Sequence, residues 1–159
     1  MKTNKTLFLD LDGVFANFEQ HYFNMFGHTH NSVPDWKMWK NINSNDSWWT
    51  TILKFEHFDD MWDNLKMFNP IILTGCPKSN YEEAVIGKKQ WVKKHFGQDV
   101  DVITCLSKDK QKYMKNPGDI LIDDMEKNCT NWRNAGGYAI QFYPEIWSQV
   151  VEEVNSLMK

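Results

Sequence analysis

Cysteine is scarce in this chain: Cys76, Cys105 and Cys129 are the only three in 159 residues, widely spaced and with no Cys-x-x-Cys pair. That excludes a disulfide-stapled scaffold and a thiolate zinc site, and it fits free thiols in a reducing compartment. Proline (5) and glycine (8) are few, so collagen-like and low-complexity architectures are excluded as well. No apolar run approaches the ~18 residues needed to span a bilayer. The short stretch before Asp10 leaves no room for the apolar core of a signal peptide. Nor is there a surplus of positive charge: 18 Lys and Arg against 21 Asp and Glu give a net charge of −3. A surface built to coat a nucleic-acid polymer, or a polybasic membrane anchor, would need the opposite balance. The expectation is a cytoplasmic protein whose partners include neither nucleic-acid polymer nor membrane.

What the chain has in quantity is aromatic side chains. Of its 23, 13 fall between Phe15 and Phe68, and five of the eight tryptophans lie between Trp36 and Trp62. Elsewhere the composition is that of an ordinary globular protein, 42% hydrophobic and 25% charged. The length suits a single domain, 1–159, able to bury roughly two thirds of its unfolded surface.

Unalternated apolar runs of strand length recur at 7–9, 71–73, 100–105, 120–122 and 138–142, as strands buried on both faces should read. Between the later ones lie helical stretches: 81–96 closing on Gly97, 126–135 closing on Gly136, and 147–158 with apolar residues at i, i+3, i+4 and i+7. Alternating strands and helices predict an α/β fold with a parallel sheet covered by helices on both faces. The first crossover, from Asp12 to Pro70, is about sixty residues long and must hold an insertion. A helical stripe at Phe15, Phe18, Tyr22 and Phe26, then shorter helices at 36–39, 47–55 and 58–65, predict a helical cap over 15–68.

Chemistry gathers at the ends of these strands. The run Leu7-Phe8-Leu9-Asp10-Leu11-Asp12-Gly13 delivers two carboxylates from a buried strand, and Gly13 permits the tight turn that follows. Alone, these aspartates could be a turn and a helix cap. But Ile71-Ile72-Leu73-Thr74-Gly75 places a hydroxyl at the same edge, and Ile120-Leu121-Ile122-Asp123-Asp124 adds a second acid pair. In an open parallel sheet these ends converge on one crevice. Converging carboxylates repel unless a cation sits among them, and an all-oxygen donor set suits Mg²⁺. With a hydroxyl and a lysine nearby, the parts are those of phosphoryl transfer.

In this order, Asp10-x-Asp12-Gly-Val, Thr74, a lysine and Asp123-Asp124 resemble the four motifs of the haloacid dehalogenase superfamily of phosphohydrolases. Receiver domains use similar parts, but there the acid pair comes early and the lysine last. The run Asp12-Gly-Val-Phe-Ala-Asn-Phe-Glu, the insertion after motif one, and Trp91-Val-Lys-Lys-His-Phe-Gly followed by Asp109-Lys110 are similar to the 5′(3′)-deoxyribonucleotidases. Asn17 stands where those relatives often carry Asp. The resemblance implies a five-stranded sheet in the order 5-4-1-2-3 and an Mg²⁺-dependent hydrolase of nucleoside monophosphates. It implies Asp10 as the nucleophile that forms an aspartyl-phosphate, and Asp12 as general acid and then base, its main-chain carbonyl on the metal. Thr74 and the Gly75 backbone would bind phosphate, and Asp123 and Asp124 the metal with Asp10. The motif-three lysine matches Lys110 best, with Lys108 a close rival, and Lys88 could also reach the phosphate from the helix after motif two.

The aromatic residues of the cap read mainly as that cap's own core. Trp48 and Trp49 are adjacent on a presumed helix, so their directions differ by about 100°, and one is expected to face outward or into the crevice. With Phe15 and Phe18 they are the candidate contacts to a substrate base. His21, His28, His30 and His57 lack metal spacing and read as surface or packing residues. Two alternatives stand beside the nucleotidase reading: a phosphatase of a sugar phosphate or other small phosphometabolite, and a non-catalytic metal- or phosphate-binding module. The expected partner is a small phosphomonoester, with a homodimer as the candidate assembly.

Overall fold

The computed structural model describes residues 4–159. Residues 1–3, part of the stretch before Asp10 on which the signal-peptide expectation rests, lie outside the described residues. Five parallel strands, β1 (Leu7–Leu9), β2 (Ile71–Gly75), β3 (Val102–Cys105), β4 (Ile120–Asp123) and β5 (Tyr138–Gln141), form one sheet. Their order is β3-β2-β1-β4-β5, the expected order read from the opposite edge. The chain runs outward from β1 through β2 to β3, then returns to place β4 on the other side of β1. The switch point of the topology therefore lies between β1 and β4, where the crossovers diverge and leave a crevice.

The helices are α1 (Phe18–Phe26), α2 (Asp35–Asn43), α3 (Trp48–Thr51), α4 (Phe58–Leu65), α5 (Tyr81–His95), α6 (Glu126–Asn134) and α7 (Trp147–Met158). Strand side chains alternate between the two faces. Leu7, Leu9, Ile72, Ile120 and Ile122 point to a large core shared with α5, α7 and the inserted helices. Phe8, Leu73 and Leu121 point the other way, onto Cys129 and Trp132 of α6. All three cysteines are free and buried. No helix of the described residues is long and apolar enough to cross a membrane.

Between β1 and β2 lie α1 to α4. Asn17 starts α1 by accepting from the Gln20 amide (3.3 Å), and Gly27, with φ of 78°, closes it. Phe15 does not join the α1 stripe: its amide is drawn back to the Leu11 carbonyl (2.9 Å), ahead of the helix. The helix expected over 47–55 is only the four-residue α3. Its continuation is pulled extended because the Leu53 carbonyl accepts from Asn17 (2.7 Å) and the Phe55 amide donates to Phe15 (3.0 Å).

The inserted aromatics do not make a separate core. Phe15 meets Phe58 and Phe96 edge to face at 5.4 and 5.1 Å, and Trp91 of α5 donates to the Ile52 carbonyl at 2.8 Å. Phe15, Trp48, Trp49, Phe58, Trp91 and Phe96 all belong to the cluster that covers the sheet. The reason is area: so short an insertion has too little interior for its own rings and shares one with α5.

α3 packs closely on α5. Gly87 lies against Trp49, and a Cβ added at Gly87 would overlap the Trp49 Cβ, an atom too near its backbone to swing away. Gly87→Ala must therefore separate the two helices, at a cost of about 1–3 kcal/mol. At about 2–4 °C per kcal/mol for a chain of this size, thermal unfolding should show a clear fall in Tm. An unchanged Tm would mean that the contact is not close-packed.

Candidate active site

The register of the sheet assembles the site. Leu9 pairs with Ile72 on one side and Ile122 on the other, so the next residue, Asp10, stands level with Asp123, and Thr74 lies one step beyond. The Asp10 amide donates to the Ile122 carbonyl at 2.9 Å, holding the strand end in place. Beyond Asp12 the chain turns sharply at Gly13, whose φ is 85°. The Asp124 carboxylate occupies the space a Cβ there would need, so glycine is demanded by both conformation and contact.

Two buried lysines enter from below. Lys110, on the 3-10 turn Ser107–Tyr113, donates to Asp10 Oδ1 (2.8 Å) and Asp123 Oδ2 (2.7 Å). Lys88, on α5, donates to Asp12 Oδ2 (2.8 Å), Thr74 Oγ1 (2.8 Å) and the Gly75 carbonyl (2.7 Å). Its ammonium lies 5.1 Å from the centre of the Trp49 ring. Lys108, the rival for motif three, is exposed. Asp123 is fully buried and also accepts from Met125 N (2.9 Å) and Asn128 Nδ2 (3.1 Å). The sequence reading missed Asn128. Its one signal is its place a helical turn after Asp124 at the start of α6.

Four carboxylates face two ammonium groups, a surplus of two negative charges. Burial raises the Asp10 pKa well above the usual carboxylate range; the charges of Asp123 and Asp124 push it further and Lys110 opposes them. Asp124 is pushed up to about 6, chiefly by burial, with Asp123 and Asp12 adding to it. Burial alone would lower the pKa of Lys110, but its two aspartates overcome this and raise it. Oxygen atoms of Asp10, Asp123 and Asp124 lie within 4.8 Å of one another, close enough to ligate one cation. A hard divalent cation fits both the donor set and the charge deficit.

Above this floor opens a cavity of about 700 Å³. Asp10, Asp12, Lys110 and Asp124 line its base, and Phe18, Trp39, Trp49 and Phe55 its wall. Of the four candidate base contacts, Phe18 and Trp49 line the cavity. Phe15 and Trp48 are fully buried in the core and do not, because their neighbours in the insertion fold over them. Histidines read as surface or packing residues divide as well. His57 is buried against the Val14 carbonyl (2.7 Å), whereas His30, 3.4 Å from Glu19, lines the cavity. Gly75 also lines it; Thr74 and Lys88 lie beneath.

Solved structures of similar shape include a hydrolase from Streptococcus pneumoniae TIGR4 (TM-score 0.56, 11% identity, covering 96% of this chain and 100% of that one). A Had-superfamily hydrolase from Ehrlichia chaffeensis matches at TM-score 0.56 and 11% identity over the whole of both chains. A predicted phosphatase from Clostridium acetobutylicum matches at 0.52 and 12%, covering 93% of this chain and 98% of that one. No curated protein matches the chain in sequence. The fold is that of the haloacid dehalogenase superfamily hydrolases. The family model described as 5′ nucleotidase, deoxy (Pyrimidine), cytosolic type C protein matches residues 4–145, and the chain belongs to that family.

The crowding of acids has a measurable sign. In the unfolded chain Asp124 titrates near the ordinary value of about 3.9; folded, it does so at about 6. Between these values the folded state holds more protons, so the cation-free protein loses stability as pH rises from about 4 to about 6. At pH 7.5 without divalent cations, Asp124→Asn should melt higher than wild type, the gap closing toward pH 4. Added Mg²⁺ should raise the Tm of wild type more than that of the variant. A variant that melts lower at pH 7.5 would show that the carboxylates are not in conflict.

Proposed function

We propose that this phosphatase hydrolyses nucleoside monophosphates, deoxyribonucleotides first, through an aspartyl-phosphate on Asp10, with Mg²⁺ as its cofactor and the cytoplasm as its place of action. The observation that carries the substrate reading is the aromatic-walled cavity standing directly over the aspartates. A phosphate at its base would leave a nucleoside to lie along Phe18 and Trp49, and base stacking on such rings is worth about 1–3 kcal/mol. Family membership supports the same reading.

Asp10, Asp123 and Asp124 would hold the metal, with the Asp12 carbonyl a further donor. When bound, it offsets the charge of the phosphate and of the attacking carboxylate. Asp10 attacks phosphorus and the ester P–O bond breaks as Asp12 gives a proton to the leaving alkoxide. Asp12 then takes a proton from water, whose oxygen attacks the same phosphorus. The bond between phosphorus and the Asp10 oxygen breaks, freeing phosphate and returning Asp10 as a carboxylate and Asp12 as the protonated acid. Lys110 steadies Asp10 and uses two of its three donors in doing so, leaving one toward the cavity it lines.

The test is a phosphate-release screen with Mg²⁺ over nucleoside monophosphates and common sugar phosphates. Nucleotides should rank first, and a sugar phosphate at the head would replace the substrate reading. Asp10→Asn should abolish turnover while the protein stays folded; full activity would end the covalent mechanism. Trp49→Ala should raise KM for nucleotides about 5- to 150-fold while kcat/KM for 4-nitrophenyl phosphate holds. Equal losses on both would assign Trp49 to site closure rather than base recognition.

A further inference from the structure

Lys88 is a lysine with nothing left to give. It is 2% exposed, at the centre of α5, immediately after the glycine on which Trp49 rests. An ammonium has three N–H donors and no acceptor. All three are used inside the protein, on Asp12 Oδ2, Thr74 Oγ1 and the Gly75 carbonyl. Lys110 differs on both counts: it makes two such bonds and lines the cavity, which Lys88 does not. The expectation that Lys88 binds phosphate would require it to abandon a partner in a buried place, at the cost of leaving that partner unsatisfied.

The direction of these bonds has consequences for the atoms they end on. Thr74 Oγ1 accepts from Lys88, so its single hydroxyl hydrogen is turned away from Lys88. Asp12 Oδ2 is likewise engaged, whereas Asp12 Oδ1 is buried and has no partner among the described residues. A proton carried by Asp12 therefore belongs on Oδ1, the oxygen that Lys88 does not hold. We propose that Lys88 is a positioning residue rather than a phosphate ligand: it holds Oδ2 of Asp12, which leaves Oδ1 to carry the proton, and it ties that carboxylate to Thr74 and to the end of β2. This rests on the reading of Asp12 as general acid and base. The cation–π contact of 5.1 Å with Trp49 ties the same ammonium to the inserted helices, so the aromatic wall and the proton-transfer group share one support.

The experiment compares wild type with Lys88→Met, which keeps an unbranched stem and removes the donors. With saturating Mg²⁺, kcat/KM is measured for the alkyl phosphate hydrolysed fastest and for 4-nitrophenyl phosphate, along with inhibition by inorganic phosphate. This ratio reports only steps through the first irreversible one, and nitrophenolate leaves without needing a proton. The alkyl ester should therefore lose about 100-fold or more, the aryl ester less than about tenfold, and the phosphate Ki should move less than about threefold. In an Asp12→Asn background Lys88→Met should add almost nothing for the alkyl ester, since the two act as a unit. Equal losses on both esters with a phosphate Ki raised tenfold or more would make Lys88 a phosphate ligand and overturn the proposal, as would additive losses with Asp12→Asn. If Lys88→Met does not fold, Lys88→Gln, which keeps one donor, is judged by the same leaving-group and Ki criteria, the expected alkyl loss being smaller. Failure of wild type on every phosphate ester would sink the phosphatase reading itself and this proposal with it, whereas an active wild type with uniform losses sinks only the role of Lys88.

Discussion

Everything at this site turns on an imbalance of charge. β1 and β4 lie side by side and each ends in aspartates, so Asp10, Asp12, Asp123 and Asp124 are forced together with only Lys88 and Lys110 to answer them. Burial makes every one of these charges expensive, and the raised pKa values of Asp10 and Asp124 are the sign that the protein's own cations do not settle the account. A site in that condition is made for ligands that bring charge of their own. A divalent metal held by Asp10, Asp123 and Asp124 would supply the missing positive charge.

The two lysines divide the work by reach. Lys110 comes from the short 3-10 turn after β3 and bridges the ends of β1 and β4, so that Asp10 and Asp123 are held by one ammonium. Lys88 comes from the helix after β2 and bridges the loop after β1 to β2 itself. Three neighbouring strands are thereby clamped at the edge where chemistry takes place. The carboxylates on the strand ends and on the loop after β1 are thus tied by hydrogen bonds to neighbouring elements, which fixes their relative positions.

The insertion between β1 and β2 works on the same principle. It contributes rings to the large core on one face of the sheet and, through Phe18, Trp39 and Trp49, a wall to the cavity. Gly87 lets α3 approach α5 closely enough for Trp49 to pack over Lys88. The cavity wall and the buried lysine beneath it thus share one packed contact.

Much of this was legible in the chain itself. Buried strands announce themselves by unbroken apolar runs, and all five were placed within a few residues; the acids after β1 and β4 and the Thr in β2 follow from where those runs stop. What sequence could not carry was anything decided by contacts between distant segments. The end of α3 is set by hydrogen bonds to residues 15–17, not by its own propensity, and Phe15 leaves its helical stripe for the same reason. Trp48 and Trp49 are chemically identical neighbours, and only the packing of α1 and α5 around them makes one core and the other cavity wall. Lys110, the best motif match, its rival Lys108 and the helix lysine Lys88 were separated by burial and by hydrogen-bond count. Local pattern determines which residues reach the edge of the sheet, because side-chain period is a property of the strand. Which atom faces which at that edge is decided only when the crossovers bring the segments together.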